Sequence, residues 1–148
     1  MTRRPKVALI SSGDELVMPG ETPGPDQIIA SNTFGLYALL QELGAEPRLL
    51  PIARDSEAAL KAVLDLVDDA DLVITIGGAS VGDHDLVAKV AADLGLERAF
   101  YKVAMRPGKP LMAGRLGETA MLGLPGNPVS TLVCAMVFVE PAIRAMLA

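Results

Sequence analysis

Apolar residues along this chain follow two alternating rhythms. Short runs rich in Val, Ile and Leu are separated by stretches in which apolar positions recur every three to four residues, the pattern of βαβ units feeding a largely parallel sheet. Lys6 to Ser11 reads as the first strand. Leu36, Leu39, Leu40 and Leu43 then share one helical face, with Ser31 or Asn32 as N-cap and Gly44 as the stop. Arg48 to Ile52 predicts a second strand, and Leu60, Val63, Leu64 and Val67 a second helix capped by Asp55 or Ser56. The uninterrupted apolar interior of Asp71 to Ile76 suits a central parallel strand covered on both faces. Val87, Val90, Ala91 and Leu94 mark a third helix closed by Gly95. Shorter strands are expected at Ala99 to Ala104, Leu111 to Arg115 and Thr119 to Leu124, the last two joined as a hairpin near Gly117. Pro128 fits the first turn of a final helix capped by Asn127, which Pro141 should kink or divide. Pro19, Gly20, Pro23, Gly24 and Pro25 are too stiff and too poor in donors for a helix or central strand, so this segment reads as a long ordered loop.

Composition narrows the class. At 148 residues with 51% hydrophobic and 21% charged, the chain reads as one globular domain with an aliphatic core, and no repeat or linker divides it. The longest apolar stretch, Val129 to Val139, is well short of the ~20 residues a membrane span needs and is interrupted by Ser130 and Thr131. The opening residues pass into a strand with no apolar signal region, so the expected location is the cytoplasm. Cys134 is the only thiol and His84 the only imidazole, which removes internal disulfides and Cys/His zinc sites. Cys134 reads as a small buried hydrophobe, and a Ser-His-Asp triad would have to use His84, crowded by acids. A net charge of −5 and five aromatic residues (three Phe, two Tyr) give neither a basic footprint nor stacking platforms for nucleic acid. The expected ligand is small.

Three strands run into small, polar or glycine-rich turns. These are Ser11-Ser12-Gly13-Asp14-Glu15, Gly77-Gly78-Ala79-Ser80-Val81-Gly82-Asp83, and Gly123-Leu124-Pro125-Gly126-Asn127-Pro128-Val129-Ser130. In an open parallel sheet such turns gather at the carboxyl ends of the strands, where ligands bind at the topological switch point. Glycines let a backbone approach a ligand closely, and helix starts opened by Asp83 and Asn127 aim free N–H groups at an anion such as phosphate. A side chain at Gly126 would obstruct that approach or violate a positive φ angle. Each turn taken alone is also ordinary strand punctuation, since no Walker or Gly-x-Gly-x-x-Gly motif is present. In Arg106-Pro107-Gly108-Lys109-Pro110, a planar fork and a point charge stand three residues apart on a stiff loop, an arrangement suited to oxyanions. Carboxylates beside phosphate-binding turns (Asp14 and Glu15, Asp83 and Asp85) suggest Mg²⁺, which is held by one or two carboxylates plus ligand phosphates.

Taken in order, Ser12-Gly13-Asp14-Glu15-Leu16, Gln27-Ile28-Ile29-Ala30-Ser31-Asn32, Gly77-Gly78-Ala79-Ser80-Val81-Gly82-Asp83-His84-Asp85, Arg106-Pro107-Gly108-Lys109-Pro110 and Gly123-Leu124-Pro125-Gly126-Asn127-Pro128-Val129-Ser130 closely resemble the molybdopterin-binding domain of the molybdopterin molybdenumtransferases, the MoeA family and the gephyrin E domain. The resemblance covers essentially the whole chain. It implies a three-layer α/β/α sandwich with a mostly parallel central sheet, the MogA-like fold. It also implies molybdopterin or adenylylated molybdopterin and molybdate as substrates, Mg²⁺ as cofactor, a dimeric parent protein, and a molybdopterin adenylyltransferase as upstream partner. The implied activity is cleavage of the adenylate and insertion of molybdate. On this resemblance Asp14, Glu15 and Asp83 lie near the metal, and Asp85 acts in adenylate cleavage. Arg106, where the family usually has lysine, and Lys109 contact the oxyanion together with Ser130. Ser12, Gly13, Gly77, Gly78, Ser80, Gly108, Pro125, Gly126 and Asn127 line the pterin pocket. The family's long N-terminal region and C-terminal β-domain have no counterpart here, so residues 1–148 are expected to be one domain excised from a longer chain. Two alternatives are a free-standing molybdopterin adenylyltransferase, which normally has Gly-Gly-Thr-Gly where this chain has Gly-Gly-Ala-Ser, and a non-catalytic scaffold module.

Overall fold

The computed structural model describes residues 3–13, 16–25, 27–54, 56–67, 69–77, 86–101, 112–124, 126 and 128–148. Its elements are β1 (Lys6–Ser11), β2 (Leu16–Val17), β3 (Ile28–Ile29), α1 (Asn32–Glu42), β4 (Glu46–Leu49), α2 (Glu57–Leu64), β5 (Leu72–Ile76), α3 (Leu86–Asp93), β6 (Glu97–Tyr101), β7 (Met112–Leu116), β8 (Thr119–Leu124), α4 (Pro128–Cys134), a π-helical segment (Ala135–Val139) and α5 (Glu140–Leu147). Six strands form one sheet in the order β4-β1-β5-β8-β7-β6. Strands β4, β1, β5 and β8 pair in parallel, and only β7 runs against them.

Strand alternation sorts the apolar residues onto the two faces. Val7 and Leu9 of β1, Leu72, Ile74 and Ile76 of β5, and Leu122 and Leu124 of β8 are buried with Leu36 and Leu40 of α1, and with Cys134, Ala135, Val139 and Ile143 of the last helical stretch. Ala8, Ile10, Val73 and Met121 point the other way, against Leu60, Val63 and Leu64 of α2 and Val87, Val90 and Ala91 of α3. The result is the expected three-layer α/β/α sandwich. Cys134 is fully buried, and desolvation pushes its thiol pKa up, in keeping with a packing role.

Local chemistry sets several boundaries. Ser56 caps α2, its hydroxyl accepting from the Ala59 N–H at 3.1 Å; the alternative cap, Asp55, lies outside the described residues. β4 begins at Glu46, two residues before the expected Arg48, because it pairs with β1 from Lys6↔Glu46 onward, and an edge position tolerates Pro47. Past Leu50, whose N–H donates to the Leu9 carbonyl, the inward donor shifts from Ile52 to Ala53, whose N–H reaches the Ser11 carbonyl, and the pairing ends as a single bridge between Ser12 and Ala53. β6 starts at Glu97, two residues before the expected Ala99, and carries an irregularity between Arg98 and Phe100; the rest of the expected span lies outside the described residues. The expected long loop also contains more than turns, since its flanks pair in parallel as β2 and β3. Pro141 does divide the final helix. The wider π-helical turn of Ala135–Val139 lies just upstream of it, and the proline falls in the first turn of α5, where its missing donor costs little.

At the amino end of the sheet Asp71 ties two strands together. Its carboxylate accepts from the Lys6 N–H at 2.8 Å and from both terminal nitrogens of Arg3 at 2.7 and 2.8 Å. Burial pushes the Asp71 pKa up, but the Arg3 and Lys6 bonds pull harder, and it ends below the ordinary carboxylate value. A pKa depressed by folding contributes stability that is complete above the unfolded-state value and is lost as pH falls through the folded one. Asp71→Asn is therefore expected to cost about 1 kcal/mol at neutral pH and to flatten the acid limb of the stability profile. Parallel acid limbs for wild type and variant in urea titrations would refute this.

Candidate functional site

The crossovers of the sheet locate the site. From β1 the chain passes through α1 to β4 on one side, then returns through α2 to β5 on the other side of β1. The connections therefore part between β1 and β5, and the crevice outside the carboxyl ends of these strands is where such folds receive ligands. A hollow of about 450 Å³ bounded by Arg3, Asp71, Arg115, Glu118 and Met146 lies at the opposite, amino end. It belongs to the Arg3–Asp71 tie, not to the glycine turns.

The turns after β1, β5 and β8 touch one another. Ser12 N–H donates to the Ile76 carbonyl at 2.9 Å, Gly13 N–H to Ala53 at 3.1 Å, and Gly77 N–H to Leu124 at 3.0 Å. Gly77 has φ +85°, and a Cβ there would stand 2.6 Å from the Ser12 carbonyl oxygen. Only glycine satisfies both conditions. A Cβ at Gly126 would come within 3.3 Å of Gly77 Cα. Gly126 itself lies outside the left-handed φ region, so of the two reasons for a glycine there, close approach holds and backbone strain does not; strain belongs to Gly77.

Two residues that hold these turns escape a reading of local pattern. Asn32 is one of two candidate N-caps by sequence, yet the cap position is Ser31, whose side chain makes no capping bond. The Asn32 amide instead donates to the Gly126 carbonyl at 2.9 Å, joining the start of α1 to the turn after β8. Arg54 Nη1 donates to the carbonyls of Leu16 at 2.7 Å and Gly13 at 3.3 Å, the residues that bracket Asp14 and Glu15 in the chain. Neither link joins near neighbours in sequence, and polar residue type is the only local hint of either.

Of the expected site residues, the structure brings together Ser12, Gly13, Gly77 and Gly126, and places Ser130 in the first turn of α4. Asp14, Glu15, Gly78, Ser80, Asp83, Asp85, Arg106, Gly108, Lys109, Pro125 and Asn127 lie outside the described residues. Among the described residues there is no cluster of three or more metal-ligating side chains, and no helix long and apolar enough to cross a membrane.

Residues 8–145 match the family described as a probable molybdopterin binding domain. The chain belongs to this molybdopterin-binding domain family. A molybdopterin molybdenumtransferase of Nostoc sp. (strain PCC 7120) is 44% identical over 148 residues, a match covering 97% of this chain and 34% of that protein. A solved molybdopterin biosynthesis MoeA protein from Pyrococcus horikoshii aligns with a TM-score of 0.89 at 38% identity, over 97% of this chain and 36% of that one. The molybdopterin biosynthesis enzyme MoaB of Thermus thermophilus, at 22% identity and a TM-score of 0.68 over 96% of both chains, shares the fold. This molybdopterin-binding domain thus spans about a third of the length of the curated relatives it matches.

Proposed function

We propose that the chain binds molybdopterin, or its adenylylated form, in the crevice at the carboxyl ends of β1, β5 and β8, and that as one domain of a longer protein it serves adenylate cleavage and molybdate insertion in molybdenum cofactor biosynthesis. One observation carries the reading: the Ser12, Gly77 and Gly126 turns converge at the switch point so closely that neither glycine can gain a Cβ without contact. That convergence gathers three turns at the carboxyl ends of the strands, the place where an open parallel sheet receives a phosphate-bearing ligand.

Carboxylates are the donors Mg²⁺ takes, and two consecutive acids follow β1 in a loop whose flanking carbonyls Arg54 ties together. Asp14, Glu15 and Asp83 would hold the ion, whose charge would offset that of the ligand's phosphates. Asp85 would act in adenylate cleavage, and Arg106, Lys109 and Ser130 would contact molybdate, with Gly78, Ser80, Gly108, Pro125 and Asn127 completing the pocket. A dimeric parent protein, supplied by a molybdopterin adenylyltransferase in the cytoplasm, completes the proposal.

Calorimetry on residues 1–148 with molybdopterin and Mg²⁺ is expected to show saturable binding. Absence of heat on demonstrably folded protein would overturn the proposal.

A further inference from the structure

Among the described residues, the buried side-chain polar atoms without a hydrogen-bond partner are Ser12 Oγ and Thr75 Oγ1. Both side chains are more than nine-tenths buried, at 4% and 2% exposure. A buried hydroxyl with no partner forfeits its hydration without return, so native proteins keep few of them, and each asks for an explanation.

Their placement supplies one. Thr75 lies two residues beyond Val73 on β5, and Ser12 two beyond Ile10 on β1; Val73 and Ile10 both pack into the α2/α3 layer. Strand alternation therefore directs both hydroxyls to that same face at its carboxyl end. The register sets Thr75 beside Ile10 on one side and Gly123 on the other. Ser12, one step past the Ser11↔Ile76 pair, stands across from Gly77. Gly123 and Gly77 carry no side chain, so both unpaired hydroxyls have backbone alone as their neighbour on one adjoining strand, at the foot of the convergent turns.

We infer that the hydroxyls of Thr75 and Ser12 form the floor of the ligand crevice and donate to a phosphate-type oxyanion of the bound molecule. The inference rests on the molybdopterin-binding reading and adds Thr75, which lies inside an apolar run and carries no motif, to the ligand-binding residues. In the ligand-free protein the hydroxyls are a standing cost, and binding relieves it.

Thr75→Val keeps the shape and removes the donor, whereas Thr75→Ser keeps the donor. Thermal unfolding without ligand, and calorimetry with molybdopterin and Mg²⁺, are read on residues 1–148 of each variant and of Ser12→Ala. Thr75→Val is expected to unfold at a temperature equal to or above wild type while losing about tenfold in affinity, the loss of one hydrogen bond to a charged acceptor. Ser12→Ala should lose a similar factor, and Thr75→Ser should stay within about twofold of wild type. A lower melting temperature for Thr75→Val, or an affinity within twofold of wild type, overturns the inference and leaves the binding proposal standing. Wild type that binds no molybdopterin removes both.

Discussion

Gly77→Ala is expected to destabilise the ligand-free protein by about 3 kcal/mol, lowering its melting temperature by about 10 °C. Two costs add. The backbone sits at φ +85°, where an L side chain strains the chain by roughly 1–2 kcal/mol. The new Cβ would also lie 2.6 Å from a backbone oxygen of Ser12, which cannot swing aside as a side chain does, because Ser12 N–H is itself bonded to Ile76. Gly126→Ala provides the contrast. Its backbone is unstrained and its Cβ would meet Gly77 Cα at 3.3 Å, which calls for a shift of a few tenths of an ångström. Its stability loss should be the smaller of the two. Equal losses in urea titrations would refute this ranking, since both φ and crowding are more severe at Gly77.

Ile74→Ala is expected to cost about 3–4 kcal/mol, in the upper part of the range for truncating a well-packed core side chain. Ile74 is fully buried in the middle strand, with Leu9 and Leu122 opposite it on the neighbouring strands. Those partners are held by backbone ladders on both sides and cannot collapse far into the space left behind. Ile74→Val, which removes one methylene, should cost about 1 kcal/mol. A truncation costing under about 1 kcal/mol would mean that the layer of α1 and the last helical stretch closes over the gap.

Legibility followed how local the cause was. β1, β5 and β8 were readable almost to the residue, because apolar runs bounded by serine, glycine or proline announce buried parallel strands, and the Gly117 hairpin and the division at Pro141 follow from single residues. β4 was displaced because its register belongs to β1, and the two-residue strands β2 and β3 are too short to show a period. At the site, the turns themselves could be found from glycine content, and their order in the chain carried the family resemblance. Which glycine needs a positive φ, and the ties made by Asn32 and Arg54, depend on contacts between distant segments. Thr75 was hidden by its own surroundings, a polar atom within Leu-Val-Ile-Thr-Ile that reads as one more buried strand position.

The two outer strands of the sheet bear on the protein's behaviour in concentrated solution. An open sheet ends in unpaired N–H and C=O groups that invite another chain to extend it, and both borders here are blunted. Pro47 removes a donor from β4, and the irregularity between Arg98 and Phe100 breaks the line of β6. Edge-to-edge growth into fibres is thereby discouraged at either flank. The exposed apolar side chains Leu132, Met136 and Val137 stand instead on helical surface, along the last helical stretch and away from both sheet edges.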